Sequence, residues 1–270
     1  MSRQANRLRL VVKVGTSTLT QDTGSLNLQS MDHLARVLSD LQGMGHEVVL
    51  VSSGAIAIGA RKLRLAQRPT QLRMKQAAAA VGQCTMMHIY DKFFSEYNRT
   101  VSQILLTGED VESPLRSEHL HNTFEALLEL GVIPVVNEND SVSSAEIETG
   151  SCKVLGDNDT LSAMVARLCT ADLLILLSDI DGLYDADPRT HPDARLIHRV
   201  QAITPELRSM AGGTGTWRGT GGMVTKLNAA QLAMEAGIDM VIANGKYPQA
   251  VYDIAAGADV GTRFLGRKRP

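Results

Sequence analysis

The sequence predicts an α/β fold in which helices cover both faces of a mostly parallel β-sheet. Strand-like segments alternate along the chain with segments of helical periodicity, as they do in repeated βαβ units. The strand-like segments are also apolar throughout, which is typical of strands buried on both faces. With 270 residues, of which 44% are hydrophobic and 21% charged, the composition is that of an ordinary globular protein.

Four strands and the helices between them are predicted in the first half of the chain. Branched apolar residues mark the strands, and apolar residues that recur every three or four positions mark the helices. Gly43 and Gly45 end the first helix, whose periodic residues are Met31, Leu34, Leu38 and Leu41. The predicted strands are 8–15, 46–54, 100–107 and 132–140; the other helices begin at 55, span 71–97 as one or two helices with Ala77–Ala80 closely packed, and span 121–131.

The second half of the chain continues the same alternation. Pro205 falls in the first turn of a short helix, where a missing N–H costs nothing. The glycine-rich stretch 212–222 is too short to separate independent domains, so we expect two lobes on one continuous sheet. The predicted strands are 172–179, 195–200, 239–244 and 262–265; the helices are 157–171, 204–212 and one that follows the glycines and ends at 236, with a further element over 249–257.

Composition and charge exclude several classes of protein. The formal net charge of −2 gives no basic field that would attract nucleic acid or an anionic membrane. Cys84, Cys152 and Cys169 lie far apart without metal-like spacing, which indicates reduced, mostly buried thiols. The apolar run Leu10–Val14 is interrupted by Lys13 and is too short for a signal peptide or a membrane span. We therefore expect a cytoplasmic protein.

Polar or glycine-bearing loops follow five of the predicted strands. In an open parallel sheet, ligands bind beyond the carboxyl ends of the strands, where the chain turns into the next helix. These loops therefore indicate a cleft at one edge of the sheet. They are VGTSTL (14–19), SSGAIA (52–57), NENDSV (137–142), SDIDGLYDADPR (178–189) and NGKYP (244–248).

Two lysines and an aspartate are candidates for chemistry in this cleft. Lys13 lies inside an apolar strand and needs an anionic partner, which is either a ligand or a structural ion pair. Lys226 follows three glycines at the predicted start of a helix, and such a start binds phosphate readily. Asp159 precedes a helical segment, so it is either part of the site or a helix N-cap.

Several familiar motifs are absent. The chain contains no GxxxxGK[ST] loop, no GxGxxG after a strand, and neither HRD nor DFG. GxSxG and HExxH are also missing, which argues against hydrolases and zinc enzymes of those types. His119 and His121 resemble an HxH ligand pair, but no supporting cluster accompanies them, and a solvated helix start is the preferred interpretation.

Six motifs together resemble the amino acid kinase family. They are VVKVGTS, VSSGAIA, GVIPVVNENDSV, GDNDTLSA, GLYDADPR and GTGGMVTKLNAA, in this order between about residues 8 and 265. The resemblance implies a three-layer α/β/α sandwich formed by one domain over 1–270. It further implies a glutamate-binding N-terminal lobe over 1–170 and an ATP-binding C-terminal lobe over 171–270, without the C-terminal PUA domain of many bacterial members.

The resemblance also assigns roles to individual residues. Lys13 and Lys226 correspond to the lysines that face the phosphates, and Asp159 to the carboxylate that orients them. The positions that correspond to glutamate binding are Ser53, Gly54, Asp140 and Asn158. The positions that correspond to nucleotide binding are Lys13, Gly15, Ser178, Asp179, Thr220, Gly221, Gly222, Met223 and Lys226.

The implied reaction is transfer of a phosphoryl group from ATP to the side-chain carboxylate of glutamate, the first step towards proline. That carboxylate is ionised at neutral pH, so no general base is required. Mg²⁺ is expected on the ATP phosphates, and proline as a feedback inhibitor. A dimer or tetramer is the implied assembly, with neither nucleic acid nor membrane as a partner. Two alternatives stay open: a kinase for another acidic metabolite, such as acetylglutamate or aspartate, and a sensor that binds these ligands without turnover.

Overall fold

A computed structural model describes residues 7–21, 25–142, 157–188, 190–211 and 222–267. Helices and strands alternate through the first half, as the hydrophobic pattern predicts. The elements there are β1 (Arg9–Val14), α1 (Thr16–Leu19), α2 (Leu28–Gly43), β2 (Glu47–Ser52), α3 (Ala55–Lys62), α4 (Leu72–Glu96), β3 (Val101–Leu106), α5 (Gly108–Glu112), α6 (Pro114–Glu129) and β4 (Ile133–Glu138).

The second half adds the remaining strands and helices of the described chain. Its elements are α7 (Asn158–Leu168), β5 (Leu173–Ser178), β6 (Arg199–Val200), α8 (Pro205–Ala211), α9 (Met223–Glu235), β7 (Asp239–Asn244), α10 (Ala250–Ala255) and β8 (Thr262–Phe264).

The described strands form one eight-stranded sheet in the order β3-β4-β2-β1-β5-β7-β8-β6. All neighbouring pairs are parallel except β7 and β8, which run antiparallel. The predicted α/β fold with a mostly parallel sheet is therefore confirmed. The halves of the chain meet where β1 pairs with β5, and Lys13 lies opposite Leu176 in that register.

Two apolar layers cover the sheet, one on each face. Successive side chains of a strand point to opposite faces, so neighbouring residues of β1 belong to different layers. Leu10 and Val12 pack in the layer that contains the buried residues of α2. Val11 packs in the other layer with residues of α7 and α9. Lys13 is two residues after Val11 and therefore shares the face that α7 and α9 cover.

Two glycines allow α3 and α4 to cross in close contact. A Cβ atom on Gly59 would lie 1.7 Å from the carbonyl oxygen of Ala78, and one on Gly82 would lie 1.8 Å from that of Ala55. Ala78 and Ala79 are buried at this crossing, whereas Ala77 and Ala80 are exposed, so the predicted close packing of the alanine segment holds for its two central residues only. The stretch 71–97 forms one helix. The crossing fixes α4 against the start of α3, beside the carboxyl edge of the sheet.

The structure corrects three expectations about local structure and adds two short helices. The helix predicted over 121–131 begins at Pro114, so His119 and His121 lie inside α6 and not at its start. His121 is also not fully solvated, because its Nδ1 lies 2.9 Å from the carbonyl oxygen of Leu168. The predicted strand 195–200 is reduced to β6 plus a single bridge between Tyr184 and Leu196. The short helices α1 and α5 were not predicted, because four or five residues carry no helical period.

The thiols follow the prediction only in part. Cys169 is buried and free, whereas Cys84 is free and exposed, so the expectation of mostly buried thiols does not hold for Cys84. Cys152 lies outside the described residues. In the part of the chain that the structure describes, no helix combines the length and the apolar composition needed to cross a membrane.

Candidate active site

Lys13 and Lys226 both form ion pairs with the carboxylate of Asp159. Lys13 Nζ lies 2.6 Å from Oδ1 of Asp159, and Lys226 Nζ lies 3.1 Å from Oδ2. Asp159 is 1% exposed, and the lysines are 8% and 5% exposed. Lys13 comes from the middle of the sheet, Asp159 from the first turn of α7, and Lys226 from the first turn of α9. The fold thus brings together the three residues that the sequence singled out for phosphate chemistry.

Asp159 is available for the lysines because another residue caps α7. The N-cap is Asp157, whose Oδ1 accepts hydrogen bonds from the backbone N–H groups of Asp159 and Thr160. The interpretation of Asp159 as the N-cap is therefore wrong, because the N-cap lies two residues earlier in the chain. The Asp159 side chain points towards β1 and α9, where it also accepts a hydrogen bond of 2.9 Å from Thr225 Oγ1.

The two ammonium groups keep Asp159 ionised. Burial opposes ionisation, but the charges of Lys13 and then Lys226, with hydrogen bonds from Lys13 and Thr225, hold the pKa of Asp159 below its ordinary value. Two cations and one anion leave these three groups with a net positive charge. A buried site of this kind favours an anionic ligand, because the surrounding protein screens the charges less than water does.

The turns after β1 and β2 lie side by side next to this cluster. Ser53 Oγ donates a hydrogen bond of 3.1 Å to the carbonyl oxygen of Val14, and Thr16 Oγ1 donates one of 3.4 Å to Ser53 Oγ. Gly54 precedes α3 with a φ of 103°, a left-handed conformation that favours glycine. A Cβ atom on Gly15 would lie 3.6 Å from Lys13 Nζ, so this backbone is adjacent to the ammonium group.

Asn158 extends the site towards α4 through a chain of side-chain amides. Asn158 Nδ2 donates to Asn137 Oδ1 at 3.2 Å, and Asn137 Nδ2 donates to Gln83 Oε1 at 3.0 Å. Asn137 and Gln83 are buried. Sequence reasoning did not assign a role to either residue. The NEND motif, which begins within β4, includes Asn137 and indicated this region, but no local pattern pairs Gln83 with it.

Asp140 lines a cavity of about 340 Å³ between α4, the end of β3 and the residues that follow β4. Burial, reinforced by the nearby charge of Glu138 and opposed by Arg68, raises the pKa of Asp140 to about 6. The carboxyl group of Asp140 therefore changes between its neutral and its anionic form close to physiological pH. Asp140 binds a cationic group most strongly above its pKa, where the side chain is negatively charged.

Ser178 and Asp179 lie where β5 ends, and their side chains are joined by a hydrogen bond of 3.1 Å. The carbonyl oxygen of Ser178 accepts a hydrogen bond of 2.7 Å from the N–H of Gly245, which follows β7. A Cβ atom on Gly245 would lie 2.6 Å from Thr18 Oγ1, so the glycine lets α1 approach closely. The loops after β1, β5 and β7 are thereby brought together.

The last group of predicted site residues is only partly described. Gly222 is the N-cap of α9 and Met223 is its first residue, so both lie at the start of the helix that carries Lys226. Thr220 and Gly221 lie outside the described residues. The described part of this segment therefore places Gly222, Met223 and Lys226 at the start of α9, and the nucleotide-binding role of the segment stays a prediction.

Comparison with known proteins identifies the family. Residues 8–244 match the profile of the amino acid kinase family. The chain belongs to this family. This amino acid kinase is 55% identical over 260 residues to the glutamate 5-kinase of Clostridium perfringens, with 96% of each chain covered. It is 52% identical over 263 residues to the glutamate 5-kinase of Listeria innocua, covering 97% of this chain and 95% of the relative.

Solved structures of two other kinases share its fold. The carbamate kinase from Giardia lamblia superposes with a TM-score of 0.69 at 15% identity, covering 98% of this chain and all of that structure. The isopentenyl phosphate kinase of T. acidophilum gives a TM-score of 0.63 at 17% identity, covering 95% and 99%. At these identities the likeness concerns the fold, and the expected α/β architecture is confirmed.

Proposed function

We propose that this amino acid kinase transfers the γ-phosphoryl group of ATP to the side-chain carboxylate of L-glutamate, giving L-glutamyl 5-phosphate and ADP. Relatives more than 50% identical over nearly the whole chain carry the name glutamate 5-kinase. The observation that carries the proposal is the pair of buried ammonium groups on Asp159. The product is the activated acid from which proline biosynthesis starts.

The chemistry of the acceptor suits this site. The side-chain carboxylate of glutamate has a pKa of about 4.3 in solution, so at neutral pH it is an anionic nucleophile without help from a base. The obstacle is the repulsion between that anion and the triphosphate, together with the charge spread over the transferring group. Positive charges held in fixed positions lower both costs.

Lys13 and Lys226 supply these charges from opposite sides. Lys13, next to the turns after β1 and β2, lies between the incoming carboxylate and the γ-phosphate, and Lys226 binds the β- and γ-phosphates from the start of α9. Asp159 is too enclosed to act as a nucleophile, and it positions both ammonium groups through its two oxygens. Because the three side chains are already held in place, little reorganisation is needed when the phosphoryl group moves.

Glutamate binds on the side of the N-terminal half. Asp140 and Asn158 accept the ammonium group, and the turn at Ser53 and Gly54 takes the α-carboxylate. This orientation directs the side-chain carboxylate towards Lys13. The lobe over 1–170 is then the glutamate lobe, and the lobe over 171–270 is the ATP lobe, in line with the sheet order in which β1–β4 occupy one half.

ATP binds on the side of β5, β7 and α9. Gly15 contributes its backbone N–H, and Ser178 and Asp179 contact the nucleotide beyond β5. The positions from Thr220 to Lys226 correspond to those that bind the phosphates in the family. Among the described residues, no group of three or more His, Cys, Asp and Glu side chains is arranged to hold a metal ion. On the family resemblance, we assign Mg²⁺ to the phosphate oxygens of ATP, where it would neutralise charge.

The test is to trap the acyl phosphate with hydroxylamine. Purified protein is incubated with ATP, Mg²⁺ and glutamate, and the hydroxamate and ADP are quantified together. Parallel reactions contain aspartate or N-acetylglutamate, whose chain length or blocked amine is incompatible with the proposed orientation. Glutamate hydroxamate formed in equal amount to ADP is the expected result. ADP release without hydroxamate, or a faster reaction with either analogue, contradicts the proposal.

A further inference from the structure

Thr225 adds a hydroxyl donor to the carboxylate that Lys13 and Lys226 share. Its Oγ1 lies 2.9 Å from Asp159 Oδ2, the same oxygen that Lys226 Nζ approaches to 3.1 Å. Thr225 and Lys226 are consecutive residues in the first turn of α9, so their side chains leave the helix in directions roughly 100° apart. They therefore reach one carboxylate oxygen from two different directions.

The threonine restricts the carboxylate in a way that the lysines do not. The ammonium group of a lysine ends a flexible four-carbon chain, so it attracts an oxygen atom without fixing the direction of approach. Thr225 has a short, β-branched side chain whose χ1 angle is restricted. Its hydrogen bond therefore determines where Oδ2 lies. Through the plane of the carboxylate, it also determines where Oδ1 is presented to Lys13, whose Nζ lies 2.6 Å away.

The same hydroxyl also faces the backbone of α9. Oγ1 of Thr225 lies 2.8 Å from the carbonyl oxygen of Gly222, and a hydroxyl group has a single hydrogen to donate. That carbonyl already accepts the N–H of Thr225 at 3.2 Å. The carboxylate is the charged acceptor, and hydrogen bonds to charged groups are the stronger ones. Asp159 is 1% exposed, which leaves little room for water as a competing donor, so the hydrogen is assigned to Asp159.

A bound triphosphate would act differently on the threonine and on the lysines. Phosphate oxygens attract the ammonium groups of Lys13 and Lys226 and compete with Asp159 for them. The hydroxyl of Thr225 carries no net charge, so the phosphates draw it much less. Its bond to Oδ2 therefore persists while the ammonium groups turn towards the nucleotide, and the carboxylate keeps its orientation between them.

We propose that Thr225 is a positioning residue for phosphoryl transfer, whose hydroxyl holds Oδ2 of Asp159 and thereby fixes the separation of the Lys13 and Lys226 ammonium groups. This inference rests on the proposed function. It adds a residue that acts on Lys13, in the central strand of the sheet, through Asp159. The role differs from phosphate binding, because the hydroxyl contacts the orienting carboxylate and acts before any substrate is present.

Two substitutions at Thr225 test this role. Thr225→Val keeps the branched shape but removes the hydroxyl, and it should lower kcat roughly tenfold, the lower end of what one hydrogen bond to a charged group contributes. Because the lysines remain, the KM values for glutamate and ATP should stay within about twofold of wild type. Thr225→Ser retains the hydroxyl and should keep kcat within about threefold of wild type.

Thr123→Val is the matched control. Thr123 Oγ1 donates a hydrogen bond of 2.9 Å to the carbonyl oxygen of His119 within α6, so the same chemical change there removes a bond to the helix backbone but none to the site. We expect kcat and both KM values of this variant to equal those of the wild type. Thermal unfolding checks that every variant is folded, and Thr225→Ala, with the same expected loss of kcat, replaces Thr225→Val if valine prevents folding.

A merely structural role at the start of α9 gives a different pattern. Gly222, Met223 and Lys226 belong to the same helix start, so loosening it would raise the KM for ATP and would not be reversed by serine. A wild-type kcat in Thr225→Val, a loss confined to the KM for ATP, or a Thr225→Ser variant as slow as Thr225→Val overturns the proposal. In each case the wild type still forms the hydroxamate, whereas failure of the proposed function appears as its absence in the wild type.

Discussion

Lys13 and Asp159 form an ion pair of 2.6 Å between the central strand of the sheet and the first turn of α7. The second oxygen of Asp159 is shared by Lys226 and Thr225 from α9. One buried carboxylate therefore sets the distance between two cations that come from distant parts of the sequence. Single substitutions in this cluster can separate its effect on turnover from its effect on stability.

Removing either ammonium group should lower turnover more than it affects substrate binding. Lys226→Ala is expected to reduce kcat by roughly 10²- to 10³-fold, the range seen when one preorganised donor to a transition state is lost. Lys13→Arg should not restore wild-type activity, because a planar guanidinium does not occupy the position of a compact ammonium group. Steady-state ADP release at saturating glutamate and ATP measures both. A Lys226→Ala variant within tenfold of wild type would contradict the assignment.

Asp159→Asn should lower the free energy of unfolding as well as the rate of the reaction. The substitution leaves two buried ammonium groups without their shared anion, and breaking a buried ion pair typically costs about 3–5 kcal/mol. Urea unfolding at pH 7 measures the loss. Asp157→Asn is the matched control, because asparagine serves equally well as a helix N-cap and the same chemical change should have little effect there.

The pH dependence of this stability has a definite sign. The folded-state pKa of Asp159 is held below its ordinary value of 3.8, so its ion pairs stabilise the protein fully above that value. The stabilisation is lost as the pH falls through the folded-state pKa. The difference in unfolding free energy between wild type and Asp159→Asn should therefore be constant near neutrality and shrink under acid conditions. An increase of that difference on acidification would be inconsistent with the ion pairs.

Glutamate use should depend on the ionisation of Asp140. Its raised pKa, about 6, means that the free protein loses this negative charge as the pH falls from 7 to 5. The kcat/KM for glutamate reports ionisations of the free enzyme and should decline through this range. Asp140→Asn should have a low kcat/KM for glutamate that no longer changes there. The KM for ATP provides the internal comparison, and an equal rise in both KM values would place Asp140 elsewhere.

Gly59→Ala should be strongly destabilising although it lies in a helix, where alanine is usually preferred to glycine. The new methyl group would overlap the backbone of Ala78, and such overpacking costs about 1–3 kcal/mol or more. Gly131→Ala is the control, because a Cβ atom there meets nothing within 4 Å and the change costs only the left-handed conformation. In thermal unfolding, the midpoint temperature of Gly59→Ala should be well below that of Gly131→Ala.

Strands and long helices could be predicted from the sequence because their cause is local. The apolar composition of β1 and β5 and the periodicity of α2 give both their type and their position. The strand predicted over 195–200 was wrong for most of its length, because its apolar residues pack at a sheet edge where only β6 finds a ladder partner. Pro114 begins α6, a start signal that the apolar pattern alone did not show.

The site could be predicted only in part. Burial of a lysine in an apolar strand required an anion near Lys13, and the family resemblance assigned that role to Asp159, as the structure bears out. Only the fold shows that Asp157, and not Asp159, serves as the helix cap. The link from Asn137 to Gln83 joins the end of a strand to the middle of a helix. No local pattern contains such a contact, because it depends on how α4 is placed by its glycine crossing with α3.

The pairing of β1 with β5 restricts how this molecule can change. Side chains alternate between faces along a strand, so a slip of one residue would turn Lys13 from the layer of α7 and α9 to the opposite layer. Insertions and deletions should therefore be tolerated in surface loops but not within β1, even where the hydrophobic character is kept. A library of single-residue insertions, scored for growth without added proline, would map this boundary directly.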